Sequence, residues 1–138
     1  MDNLHPGLVN DARDSTGPGP YVMACETLAG DAVVNAADEE LGKLEHVMVD
    51  VRSGTIAYAV LACGGVFGIG EKLFAIPWRA LTLDAERNCF VLDVSRERLE
   101  AAPGFDRDHW PSMADPAWAR GVHDYYGVRP YWSMRTIQ

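Results

Sequence analysis

Between residues 21 and 94 the chain repeats one pattern, in which short runs of alternating apolar and polar residues are separated by turn-forming residues. In the run at 40–51, valine stands at positions 47, 49 and 51. Alternation with a period of two residues predicts β-strands. The predicted strands are 21–28, 30–36, 40–51, 55–63, 72–78, 80–84 and 89–94.

These short, closely spaced strands predict a mainly β fold. Because the region has no helix long enough to connect parallel strands, the strands are expected to form a small antiparallel β-barrel or sandwich. Several runs are apolar on both faces, as in 55–63, where Tyr58 and Val60 lie on one face and Ala59 and Leu61 on the other. Such strands are expected to enclose a core and to be covered again on the outside.

The alternation also predicts the core of the barrel. Each predicted core residue is a large side chain on one face of a strand, and burying such a face is the main favourable term in folding. The predicted core residues are Ile56, Tyr58, Val60, Phe74, Ile76, Val91 and Leu92.

Two short helices are predicted after the last strand. Ser95 is a good N-cap for a helix at 96–102. Asp115 and Pro116 are typical of the first turn of a second helix, and Gly127 is typical of its end. The chain is therefore divided into a flexible N-terminal arm (1–20), a barrel domain (21–102) and a C-terminal extension (103–138).

The C-terminal extension is rich in aromatic residues. Large apolar side chains at this density must be buried, either on the chain's own barrel or on a partner. We predict that residues 105–132 form a contact surface that makes the protein an oligomer; a tail wrapped around its own barrel is the alternative. Seven of the thirteen aromatic residues lie there: Phe105, Trp110, Trp118, Tyr125, Tyr126, Tyr131 and Trp132.

The loop at 64–70 contains four glycines and raises the question of a phosphate site. Phosphate loops require GxxxxGK before Ser or Thr, and dinucleotide loops require GxGxxG before a helix; here Glu71 follows Gly70 and position 73 is leucine. Both patterns fail, so the glycines are expected to serve a hairpin connection and no cofactor is predicted. Phe67 and Ile69 at the tip are candidate protein contacts, or they fold over the barrel itself.

The remaining chemistry does not predict a catalytic or metal site. The four histidines are scattered, and Asp106 and Asp108 beside His109 are interpreted as solvated turn residues. Glu71 and Lys72 are expected to form a surface charge pair. The net charge of −8 argues against nucleic acid as a partner.

Cysteine usage and targeting signals predict a cytoplasmic protein. The three cysteines, Cys25, Cys63 and Cys89, are far apart and are expected to be buried and reduced. The first twenty residues lack the features of a signal peptide, and no apolar run approaches the eighteen residues of a membrane span.

The segments ELGKLEHVMVDVRSGTIAYAVLACGGVFGIGEKLFAIPWRAL and FVLDVSRERLEAAPGFD resemble the PRC-barrel family. This is the small barrel of the photosynthetic reaction centre H subunit and of a ribosome maturation factor, and the resemblance covers roughly residues 22–102. The aromatic ending YYG…PYW is similar to that of free-standing bacterial members. The resemblance implies a protein-binding β-barrel, and it carries over no catalytic residues. The acidic charge and the missing second domain speak against the ribosomal role.

These observations predict a non-enzymatic protein-interaction module that self-associates, acting as an adaptor or assembly factor. Two alternatives stay open: a peripheral subunit docked on a membrane complex, such as a photosynthetic one, and a barrel that binds a small ligand or metal. The candidate contact residues are Phe67, Ile69, Trp110, Trp118, Tyr125, Tyr126, Tyr131 and Trp132.

Overall fold

The computed structural model describes residues 7–9, 22–64 and 71–136. Phe67 and Ile69, with most of the glycine-rich loop, lie outside the described residues. Strands account for most of the described secondary structure, as the alternation predicts. The strands are β1 Leu8–Val9, β2 Ala32–Val34, β3 Glu40–Asp50, β4 Thr55–Cys63, β5 Lys72–Pro77, β6 Leu81–Asp84 and β7 Cys89–Leu92.

The strands form one sheet in the order β1-β6-β7-β2-β3-β4-β5. Strands β2 to β7 curl into a half-barrel. The pairs β2–β3, β3–β4, β4–β5 and β6–β7 are antiparallel, as expected, whereas β2–β7 and β1–β6 are parallel. The sequence pattern did not indicate these two parallel pairs because alternation identifies a strand and not its neighbour.

Part of the predicted N-terminal arm belongs to the sheet. Leu8 and Val9 pair with Leu83 and Asp84 of β6, and the Leu83 N–H donates to the carbonyl of Gly7 over 2.7 Å. This short strand therefore gives the outer edge of β6 a partner.

The helices are short and follow the predicted signals, with one exception. They are α1 Cys25–Leu28, α2 Arg96–Glu100 and α3 Pro116–Tyr125, with 3₁₀ turns at Trp78–Ala80 and Tyr131–Thr136. The Ser95 hydroxyl accepts the Arg98 N–H over 3.0 Å, and the Asp115 carboxylate accepts the Ala117 N–H over 3.0 Å, so both predicted N-caps are present. Gly127 follows α3 with a φ of 70°, a left-handed value that suits glycine at a helix end.

The prediction of a first strand at 21–28 is wrong, because residues 25–28 form α1. Leu28 of α1 packs against the main core, but no residue of α1 is buried, so this helix lacks the buried face that alternation implied. The chain then turns at Gly30, whose φ is 93° and whose N–H donates to the Leu44 carbonyl over 2.7 Å.

The sheet buries both of its faces. The inner face encloses the main core, and the outer face of β4 and β5 packs against α3 in a second cluster. The main core consists of Val33, Leu41, Leu44, Ala59, Leu61, Phe74, Ile76, Leu81, Phe90, Leu92, Leu99 and Ala102. The second cluster consists of Ala57, Tyr58, Ala75 and Val122.

The predicted core is correct for some residues and needs correction for others. Phe74, Ile76 and Leu92 lie in the main core. Tyr58 is buried but belongs to the second cluster, and Ala59 and Leu61 of the same strand supply the inner face instead. The assignment failed because β4 is apolar on both sides, so alternation alone did not identify the inward face. Val60 is also fully buried, whereas Ile56 and Val91 are only half-buried.

Candidate functional site

The C-terminal extension joins the sheet at the free edge of β5. The Leu73 N–H donates to the Phe105 carbonyl over 2.9 Å, and the Phe105 N–H donates back to the Leu73 carbonyl over 2.8 Å. A Cβ on Gly104 would lie 2.9 Å from the Leu73 carbonyl oxygen, closer than real Cβ contacts allow, so this approach requires glycine. The bridge covers part of an edge that would otherwise expose unpaired backbone groups.

Arg107 fixes the next part of the extension through two carboxylates. Its guanidinium forms ion pairs with Glu45 of β3 and with Glu71, which precedes β5. The hydrogen bond from Arg107 is the largest cause of the lowered pKa of Glu45. Glu71 therefore pairs with an arginine of the extension, and not with Lys72 as predicted.

Trp110 lies beside this anchor, over the strands. Its ring centroid is 5.0 Å from that of Phe105 and 5.7 Å from that of His46 on β3, and its Nε1–H donates to the Arg107 carbonyl over 3.0 Å. Trp110 is 39% exposed, one of the few large apolar side chains of the described residues that remain open to solvent.

An aromatic cluster forms where α3 crosses the outer face of β4. The Tyr58 ring is its centre, with ring centroids 5.3 Å from Trp118, 5.5 Å from His123 and 5.9 Å from Tyr131. Trp132 contacts His123 at 5.3 Å and Tyr131 at 5.2 Å. Tilted and edge-on rings at these distances stabilise the packing beyond simple area burial.

His123 is a structural residue within this cluster. It is 1% exposed, its Nδ1 lies 2.8 Å from the Ala119 carbonyl oxygen, and the Tyr131 N–H donates to its Nε2 over 3.3 Å. These partners require a neutral ring with the proton on Nδ1. Burial lowers the pKa of His123 below its ordinary value, in agreement with a neutral ring.

Asp50, at the end of β3, connects the barrel to the last turn of the extension. The Tyr131 hydroxyl donates to Asp50 Oδ2 over 2.6 Å, and Arg52 donates through Nε and one Nη over 3.1 and 2.9 Å. The hydrogen bonds from Arg52 and then from Tyr131 hold the pKa of Asp50 well below its ordinary value. The Asp50 carboxylate is therefore ionised, and it orients both donors.

Tyr125 and Tyr126 lie against the main core, near α2. The Tyr125 hydroxyl donates to the Arg98 carbonyl over 2.6 Å, Arg98 donates to the Tyr125 carbonyl over 2.5 Å, and its guanidinium lies 4.2 Å from the Tyr125 ring centroid. Both tyrosines pack against the main core cluster. Tyr125 therefore connects α3 to α2, whereas Tyr126 packs against both the main core and the second cluster.

A groove with two adjoining depressions, here called the Trp132 groove, opens between the β3–β4 turn, the start of α3 and the final 3₁₀ turn. The first depression has a volume of about 290 Å³, and the second about 400 Å³. The first is lined by Arg52, Met113, Ala114, Pro116, Ala119, Arg120, Tyr131 and Trp132. The second is lined by Asp50, Arg52, Ser53 and Trp132.

The described residues contain no group of three or more His, Cys, Asp or Glu that could hold a metal ion. His109 lies 3.8 Å from Asp106 at the surface, and Asp108 does not complete a ligand set. Burial raises the pKa of the Cys63 thiol to about 11, so this cysteine is protonated at neutral pH and weakly nucleophilic. Cys89 is buried, whereas Cys25 is exposed, contrary to the prediction of three buried thiols.

The structure thus separates the candidate contact residues into three places. Trp118, Tyr131 and Trp132 belong to the cluster around Tyr58 and His123, Tyr125 and Tyr126 pack against the main core, and Trp110 lies by the β5 edge. The sequence pattern did not indicate five further parts of this surface, which are Asp50, Arg52, Tyr58, Arg107 and His123. The spacing of Asp50 and Arg52 across a turn was the only local signal, since their partner Tyr131 is far away along the chain.

The half-barrel sheet with helical cover defines the class of the molecule as a small β-barrel domain. The sequence profile of the PRC-barrel domain matches residues 22–99, more than half of the chain. The chain therefore belongs to the PRC-barrel family. No curated protein matches the sequence. The matched region ends before the extension, so every member of the aromatic cluster except Tyr58, and much of the Trp132 groove, lie outside it.

None of the helices in the described part of the chain is long and apolar enough to span a membrane.

The His123 environment predicts a pH-dependent stability. Below about pH 6.5 the unfolded chain takes up a proton at this imidazole while the folded chain, whose pKa is lower, does not, so the free energy of unfolding decreases. We expect His123→Gln to flatten the loss of stability between about pH 7.5 and pH 5.5, measured by urea unfolding. The control is His109→Gln, since the His109 side chain is 81% exposed and its variant should keep the wild-type slope. Equal slopes in all three proteins would show that His123 titrates normally.

Proposed function

We propose that this protein is a non-catalytic protein-interaction module in which the barrel is the scaffold and the Trp132 groove is the docking surface. The observation that carries the proposal is the composition of the groove: Tyr131 and Trp132, Met113, and the two arginines Arg52 and Arg120. Aromatic residues, methionine and arginine are the residue types enriched where proteins bind one another. They line a concave surface here, outside the main core.

The way the extension is attached supports this role. Phe105 bridges to Leu73, and Tyr131 donates to Asp50, so both ends of the extension are bonded to the barrel. Between them, Trp118 and Val122 pack against the outer face of the sheet. A surface held in one geometry before binding loses less conformational entropy when a partner docks.

The test is capture of a partner from the native cell with matched variants. Ala114→Tyr fills the groove from an exposed position, and Ala117→Tyr adds the same ring at an exposed α3 position that does not line it. We expect the wild type and Ala117→Tyr to retain the same protein, identified by mass spectrometry, and Ala114→Tyr to lose it. Equal retention by all three chains, or no protein enriched by the wild type, would contradict a docking role for the groove.

Self-association is a second candidate, favoured by the apolar side chains that stay exposed after the extension has packed. Trp110 is 39%, Val49 45% and Val51 87% exposed. A symmetric dimer is the commonest arrangement that covers such positions. The extension would then pack most of its aromatic residues on its own barrel, and Trp110 would contact a second copy of the chain.

Light scattering on the full chain tests self-association. We expect a dimer at high micromolar concentration and a dissociation constant raised about tenfold or more by Trp110→Ala, because aromatic residues dominate interface energetics. Arg79→Ala, a change at an exposed residue that is not one of these apolar side chains, is the control and should leave the dimer unchanged. A wild-type chain that remains monomeric at that concentration excludes this candidate.

A further inference from the structure

Two arginines line the Trp132 groove in a chain whose net charge is −8. Arg52 is held by Asp50 through Nε and one Nη, and its side chain is 86% exposed, so its remaining N–H groups stay available. Arg120 is exposed on α3 and makes no ion pair with any described residue. Asp50, which lines the second depression, balances the charge of Arg52, so Arg120 supplies the net positive charge of the groove on a molecule that is negative overall. This local charge favours an anionic ligand group.

The first depression also has an apolar part. Met113, Ala114, Pro116 and Ala119 line it beside the two arginines. Its volume of about 290 Å³ lies at the lower limit for small-molecule pockets, which suits one aliphatic side chain with its backbone more than a compact cofactor. The part of the ligand that lies next to its anionic group is thus expected to be apolar.

The second depression extends the groove past Trp132. It is lined by Asp50, Arg52, Ser53 and Trp132. Two adjoining depressions that share Arg52 and Trp132 suit an extended chain with successive side chains.

We propose that the Trp132 groove binds an extended acidic segment of a partner protein. An aliphatic side chain of the segment lies between Met113 and Pro116, and its carboxylates pair with Arg120 and Arg52. This inference rests on the proposed function and adds the chemistry of the partner. Asp50 is paired with Arg52 and accepts from Tyr131, so this group is neutral as a unit: Arg52 offers its remaining N–H groups to the segment, and Arg120 offers the net positive charge.

Single-stranded nucleic acid is the competing ligand, because its phosphates also bind arginine and its bases stack on tryptophan. Two arginines provide few phosphate contacts, and the net charge of −8 repels a polyanion over its whole length. A short acidic segment needs only the local positive charge of the groove. The observations therefore favour the peptide.

The test is isothermal titration calorimetry on the full chain with three unlabelled peptides. DELDE carries both the charges and the leucine, NQLNQ keeps the shape without charge, and DESDE keeps the charges without the leucine. We expect DELDE to bind, the other two to bind about tenfold more weakly or not at all, and the affinity for DELDE to fall as salt is raised from about 0.05 M to about 0.5 M. A ten-nucleotide oligouridine is titrated in parallel.

Charge-removing variants locate the site. Arg52→Gln and Arg120→Gln should each weaken DELDE binding by about three- to tenfold, whereas Arg79→Gln, an exposed arginine that does not line the groove, should bind like the wild type. The proposal is overturned if DELDE gives no heat at about 1 mM, if NQLNQ binds equally well, if Arg79→Gln loses as much affinity as Arg120→Gln, or if oligouridine binds and DELDE does not.

The peptide result and the capture result are independent of each other. A captured partner that Ala114→Tyr loses, together with silent DELDE titrations, overturns the acidic segment and leaves the docking module standing. Failure of both experiments overturns the module as well.

Discussion

The outer face of the sheet and the edge of β5 both require cover, and this requirement determines the arrangement of the C-terminal half of the molecule. A half-barrel sheet that is apolar on both sides would expose residues such as Tyr58 and Ala75 to water. Its last strand would also present unpaired backbone groups to other chains. The extension meets both needs, since Phe105 pairs with Leu73 at the edge and α3 packs on the outer face.

The outer face of β3 shows how closely the extension follows the barrel. Alternate residues of this strand contact successive parts of the extension: His46 contacts Trp110, Met48 packs on the second cluster, and Asp50 accepts from Tyr131. The same contacts that stabilise the fold place Tyr131 and Trp132 beside Arg52. The groove therefore forms because the extension packs on the sheet, and its shape depends on contacts between residues far apart in sequence.

The sequence was sufficient for the features that are determined locally. Alternation identified β3, β4 and β5, and the capping residues Ser95 and Asp115 marked the helices correctly, because strand period and helix caps depend on neighbouring residues. The resemblance to the PRC-barrel family was confirmed over 22–99. The candidate contact residues were predicted from composition alone. Composition identified the aromatic segment, but not which of its residues pack on the barrel and which line the groove.

Apart from the short helix α1, the features that the sequence did not predict depend on long-range pairing. The parallel pair β2–β7 joins distant parts of the chain, and the hydrogen bond from Tyr131 to Asp50 joins residues that are 81 positions apart in sequence. Burial of Tyr58 on the outer face depends on a helix that follows the strand much later. Tertiary packing determines which strands pair and which face of a strand is inward, and it overrides the local pattern where both faces of a strand are apolar.

The central claim is that the extension is an integral second layer of the barrel. Amide hydrogen exchange, read residue by residue by NMR, tests it most directly. We predict that the N–H groups of Leu73, Phe105 and Tyr131, which bond to Phe105, Leu73 and His123 respectively, are protected to a similar degree as those of the central strand β4. Exchange of the Phe105 and Tyr131 amides at the rate of an unfolded chain, with β4 still protected, would contradict the claim.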